Sequence, residues 1–116
     1  MNGFLKKYER WGELHEESEL LAIEATNLRL TDPGRARQLY AQAAAKEEEA
    51  LRYIPFGKGR LQEFYEMLVV SAAALYLKGG DATGTQSIVD TYAEKLTFGR
   101  SKDKLEEVVK ALTRLQ

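Results

Sequence analysis

Residues 22–54, AIEATNLRLTDPGRARQLYAQAAAKEEEALRYI, decide the fold. They read as two antiparallel helices hinged at Thr31-Asp32-Pro33-Gly34. Asp32 suits an N-cap, because its carboxylate can accept from orphan backbone N–H groups of the following turn. Pro33 then takes the first helical position, where a missing N–H costs nothing and φ is already suitable. A residue preceding proline is pushed out of the α region, so the first helix should end near Leu30 or Thr31. Beyond the hinge, Ala36, Leu39, Tyr40, Ala43, Ala50, Leu51 and Ile54 recur at three- and four-residue steps, one apolar stripe at helical period. Lys46, Glu47, Glu48, Glu49 and Arg52 fall mostly outside that stripe. So short a connection makes the two helices antiparallel neighbours. The alanines of the second let the backbones come close.

Working outward, the same punctuation divides the rest of the chain. The pattern predicts an all-α single domain over 1–116, with helices at 3–30, 33–53, 60–78, 82–96 and 101–115. In the first helix Phe4, Tyr8, Trp11, Leu14, Leu21, Ala22, Ala25 and Leu28 mark the buried side. Gly12 is a point where the helix could break, leaving Phe4 to Trp11 as a separate arm, because helical glycine costs about 1 kcal/mol against alanine. Pro55-Phe56-Gly57-Lys58-Gly59 forms a loop. The third helix carries MLVVSAAALYL, apolar nearly all round, and so marks the centre of the core. Gly79-Gly80 stops it. Ile88, Val89, Tyr92 and Leu96 form the stripe of the fourth helix. Ser101 is read as the cap of the fifth, with Leu105, Val108, Val109, Leu112 and Leu115 on one side.

Composition excludes several classes. The 116 residues are 44% hydrophobic, enough to close a core, and carry 17 basic against 18 acidic side chains. Such a balance gives no strong field toward nucleic acid or anionic lipid. The absence of cysteine excludes disulfides, thiolate zinc sites and cysteine nucleophiles, and fits a reducing cytoplasm. No apolar run approaches the roughly 20 residues needed to span a bilayer. The charged start, MNGFLKKYERWGELHEESE, does not read as a signal-peptide core.

The two hairpins read as diverged copies. Shifted by 49 residues, Ala25 falls on Ala74, Leu28 on Leu77, Arg29 on Lys78, Asp32 on Asp81 and Tyr40 on Val89. Units of this kind cannot bury their apolar faces singly and must stack. Here the chain resembles the tetratricopeptide-repeat (TPR) superfamily over about Leu20 to Leu96. Ala36-x3-Tyr40-x2-Ala43 looks like the small-aromatic-small pattern of a second TPR helix, and Ala73-x2-Tyr76-Leu77-x2-Gly80-Asp81 like the end of a first helix and its turn. The chain departs from the family in its longer spacing, against about 34 residues, in lacking the early tryptophan of each unit, and in Thr85 standing where alanine is expected. Pro55 also lies too far along. The resemblance implies protein or peptide binding on a concave helical face, with the fifth helix as a terminal cap.

Candidate sites are few. His15 is the only histidine. His15-Glu16-x-x-Glu19 begins like a zinc-protease helix but lacks the second histidine, so no metal or other cofactor is expected. Arg10-x4-His15 resembles the ribonuclease motif of HEPN domains. That resemblance implies phosphodiester cleavage, with histidine shuttling a proton and arginine holding phosphate. In that family the motif lies late, on a central helix, whereas here it falls within the first fifteen residues. RNA cleavage lost in His15→Ala would reveal such an enzyme. Gly57-Lys58-Gly59-Arg60 lacks the spacing of a phosphate loop and reads as a connector. Glu13, Glu16, Glu17, Glu19 and Glu24 form an acidic strip, a solvated face or a docking strip for a basic partner. Lys95, Arg100, Lys102 and Lys104, beside Phe98, form the complementary basic patch, which Asp103, Glu106 and Glu107 dilute, so a nucleic-acid partner is not expected. The expected function is a non-catalytic, self-associating interaction module, acting as a cytoplasmic adaptor for a protein or peptide. Tyr8, Trp11, Tyr40 and Tyr65 are its candidate anchors, and a purely structural dimeric bundle is the further alternative.

Overall fold

The computed structural model describes residues 3–54 and 59–115, with side chains from residue 10 onward apart from Arg60. Five helices account for nearly all of it: α1 (Gly3–Leu28), α2 (Pro33–Leu51), α3 (Gly59–Lys78), α4 (Ala82–Tyr92) and α5 (Gly99–Leu115). A single 3₁₀ turn, Ala93–Lys95, follows α4. The described residues contain no strand. The expectations for Phe4, for the Tyr8 side chain and for the Pro55–Lys58 loop lie outside the described residues.

The hinge forms as its residues dictate. Asp32 caps α2, its carboxylate accepting from Arg35 N–H at 3.1 Å, with Pro33 just inside the helix. The second unit repeats the device, since Asp81 accepts from Gly84 N–H at 2.8 Å. In each case the aspartate carbonyl also accepts from the residue four further on, Ala36 or Thr85, at 3.0 Å. Thr85 fits the alanine-like position by burying completely and donating its hydroxyl back to the Asp81 carbonyl.

Helix boundaries differ from the expected ones by a few residues, for local reasons. α1 ends at Leu28, whose carbonyl accepts from Thr31 and Asp32 N–H. α2 stops at Leu51 because its final turn tightens to i→i−3 bonds, Arg52 to Glu49 and Tyr53 to Ala50. α5 begins at Gly99, and Lys102 N–H bonds the Phe98 carbonyl at 3.1 Å, so Ser101 lies inside the helix and is not its cap. Nor does Gly12 break α1, which runs through it continuously.

Packing is sequential: α1 lies on α2, α2 on α3, and α3 in turn on α4 and α5. The molecule is an elongated slab of 44 × 29 × 19 Å, as stacked hairpins require. All seven residues of the α2 stripe are buried. One core cluster, around Leu14, Leu51, Leu68, Val69, Ile88 and Leu105, joins the two units. A second, of Ala25, Ala36, Leu39, Tyr40, Ala43, Ala44 and Leu75, fills the hinge end of α1 and α2. At the far end of α3 the backbones nearly touch. A Cβ on Gly79 would lie 2.9 Å from Ala41 N and 3.0 Å from Arg37 O, so only glycine lets α3 come this close to α2. Gly80 follows at φ +73°, and Asp81 N–H bonds the Tyr76 carbonyl to close the turn.

Buried polar groups tie the stack together. Glu66, fully buried on α3, accepts from the Thr97 hydroxyl at 2.6 Å, Phe98 N–H at 3.0 Å and Gln62 at 2.7 Å. It thereby anchors the segment between α4 and α5. Burial alone would raise its carboxyl, but these hydrogen bonds win and hold it at about 2. Tyr76 donates to Glu48 at 2.6 Å and Ser18 to the Ala43 carbonyl at 2.9 Å, linking α3 and α1 to α2. Leu115, expected on the buried side of α5, is 72% exposed, because that helix runs past the last residue it can pack on.

Candidate functional site

α3 carries an open groove on one face. Its volume is about 590 Å³, with Phe64, Met67 and Val70 of α3 on its floor and Arg100, Ser101 and Lys104 of α5 along one wall. Met67 is 45% exposed there, and Phe98 nearby is 40% exposed. Glu63 stands at the rim, 2.7 Å from Arg100. Lys104 has no ion-pair partner among the described residues.

Phe64 also receives α1. The Trp11 ring packs against it with centroids 4.8 Å apart, and the His15 ring meets it edge-on at 5.4 Å. Trp11 is therefore not on a separate arm; it closes α1 onto α3. A smaller cavity of about 280 Å³ lies just beyond, and Met67 and Ser71 line both it and the groove.

His15 forms the wall of this cavity. Its Nδ1 lies 2.8 Å from Glu47 Oε1 and its Nε2 2.9 Å from Glu19 Oε1. Glu47 is 1% exposed. Burial pushes its carboxyl up, and the polar groups of His15, Ser71 and Ser18 offset only part of that shift. The buried Glu47 Oε2 has no hydrogen-bond partner among the described residues. Sequence reading placed the acidic run containing Glu47 mostly off the apolar stripe, yet Glu47 falls on it, four residues after Ala43 and three before Ala50.

The other singled-out residues do not gather into one site. Arg10 is held by Glu49 at 2.9 Å and Glu13 at 3.7 Å, a different pair of carboxylates from those on His15. Five residues apart on one helix, Arg10 and His15 point roughly 140° away from each other. Tyr40 and Tyr65 are buried, at 7% and 4% exposure, and so are core side chains rather than surface anchors. The Tyr40 hydroxyl lies 2.7 Å from that of Thr26, and Tyr65 meets Tyr92 edge-on. Aromatic spacing could not separate a core tyrosine from a surface one.

Of the acidic strip, Glu17 pairs with Lys46 at 3.0 Å, while Glu16 and Glu24 have no ion-pair partner among the described residues. The strip surrounds an exposed apolar pair, Leu20 and Ile23. In the basic patch, Lys95 lies over the Tyr92 ring, whereas Lys102 and Lys104 are exposed on α5. No group of three or more metal-ligating side chains is arranged to hold an ion among the described residues, and no described helix is long and apolar enough to cross a membrane. Comparisons with protein-family models, with curated proteins and with solved structures give no match.

Proposed function

We propose that the chain is a non-catalytic, TPR-like interaction module that takes a protein or peptide segment into the groove over α3, acting as a cytoplasmic adaptor and associating with itself. The observation that carries this reading is the groove: an apolar floor left open on α3 beside α5, with a half-exposed methionine in its lining. Methionine is adaptable, and Met-rich surfaces suit partners of varied shape. An exposed apolar floor with charged rims is the usual form of a docking surface. Self-association rests on charge: the acidic strip of α1 on one copy can meet the exposed Lys102 and Lys104 of α5 on another.

A photo-crosslinking residue placed at Met67 tests the docking reading in the source cell. Specific adducts from position 67, absent when the crosslinker stands at Gln86 on α4, support it. Equal labelling from both positions, or none, removes it. Sedimentation across a salt series tests self-association, which should weaken as salt rises.

A further inference from the structure

We infer that the small cavity beside the groove receives an alkylammonium or alkylguanidinium group, the lysine or arginine side chain of the docked segment. Glu47 lies at its inner wall, almost wholly removed from solvent, with Oε1 engaged by His15, no hydrogen bond of good geometry on Oε2, and only the Ser18 and Ser71 hydroxyls besides His15 to offset its burial. A buried carboxylate oxygen left in that condition is costly, and a cationic N–H donor is the partner that relieves the cost most fully. Glu19 stands at the cavity with its carboxylate on the other His15 nitrogen. With both glutamates ionised, the three groups sum to −1 when His15 is charged and −2 when it is neutral, so a cation is favoured in either case. Of the remaining walls, Ser18 and Ser71 are polar, while Ala22, Met67 and Leu75 are apolar and suit a methylene stem.

Size decides what kind of ligand fits. At about 280 Å³ the cavity is below the usual range for a whole small-molecule site but takes one side chain. Its source follows from the walls shared with the groove, Met67 and Ser71: a chain lying in the groove can send a side chain inward without leaving it. To that extent the inference rests on the interaction reading.

The test is an amide chemical-shift titration of the full chain with butylammonium, butylguanidinium and, as a neutral match, 1-pentanol. The cations should give saturable shifts at His15, Ser18, Glu19 and Ser71, with dissociation constants of roughly a millimolar, and the alcohol none. Glu47→Gln keeps the shape and should weaken binding about tenfold or more. Should that variant fail to fold, Ala22→Leu narrows the cavity from α1 and should have the same effect with Glu47 intact. Doubly blocked lysine distinguishes the source: a docked side chain predicts binding no weaker than butylammonium, with added shifts at Phe64 and Arg100. Exclusion of blocked lysine while butylammonium binds would mean a free-amine site and overturn the assignment. So would the absence of saturable shifts, or unchanged affinity in both variants. Cation binding without crosslinked partners from Met67 defeats the interaction reading alone, and crosslinking without cation binding defeats this site alone.

Discussion

Glu66 and Thr97 meet at 2.6 Å across the gap between α3 and the segment that leads into α5. With Phe98 N–H and Gln62 also donating, one carboxylate holds a stretch of chain that has no helix of its own. Glu66→Gln should therefore cost about 2–3 kcal/mol in urea denaturation, the range for hydrogen bonds to a buried charge. The pH dependence has a definite sign. The folded carboxyl is held at about 2, below its ordinary 4.5, so its stabilisation is present above the ordinary value and lost as pH falls between the two. The gap between wild type and Glu66→Gln should close over that window.

In the His15–Glu47 pair the carboxyl is shifted the other way. His15→Ala leaves a buried carboxylate without its partner and should cost about 2–3 kcal/mol near neutral pH, less than a fully enclosed pair because His15 is partly open to water. Burial raises the Glu47 carboxyl, so its protonated form is the one folding favours. The penalty should shrink as pH falls and Glu47 takes up a proton, and grow as pH rises through the raised value. Parallel chemical denaturation at several pH values reads this directly.

Two glycines should respond in opposite directions to the same substitution. Gly79→Ala drives a methyl into the Ala41 and Arg37 backbone, which cannot swing aside, and should lower stability by about 1–3 kcal/mol. Gly12→Ala meets nothing within 4 Å inside a continuous helix, and should raise stability by about 0.5–1 kcal/mol. Thermal unfolding of the two variants is sufficient to compare them.

The paired caps make a third comparison. Asp32→Ala and Asp81→Ala should each cost about 1 kcal/mol. The Asp81 change should cost more, since its bond to Gly84 is shorter and partly shielded from water. As the two turns share no partners, the double variant should show the sum of the single effects.

How much of this was legible depended on whether a residue's neighbours were local. The α2 stripe and the Asp32 cap follow from spacing and turn chemistry, and both formed, while Asp81 was legible only as the aspartate of the equivalent turn. Glu47 was misplaced because its charge outweighed its position in the series Tyr40, Ala43, Ala50, Ile54. Glu66 gave a fainter signal, a glutamate four residues from Gln62 in an otherwise apolar helix. The groove could not be read at all: α3 is apolar nearly all round, so its pattern does not say which side α1 and α5 leave uncovered. Met67 and Phe64 were accordingly passed over, while Tyr40 and Tyr65, with the same kind of spacing, proved to be interior.

Sequential packing also makes the ends of the slab unequal in how they breathe. α3 is held by three neighbours, whereas α1 rests mainly on α2 and reaches α3 through Trp11 and His15 against Phe64. A brief loosening of α1 would bring water onto Glu47. Amide exchange should accordingly run slowest in the middle of α3 and faster in the terminal helices α1 and α5, and the Glu47 carboxylate would sense α1 parting from α2 before the middle of the stack registers it.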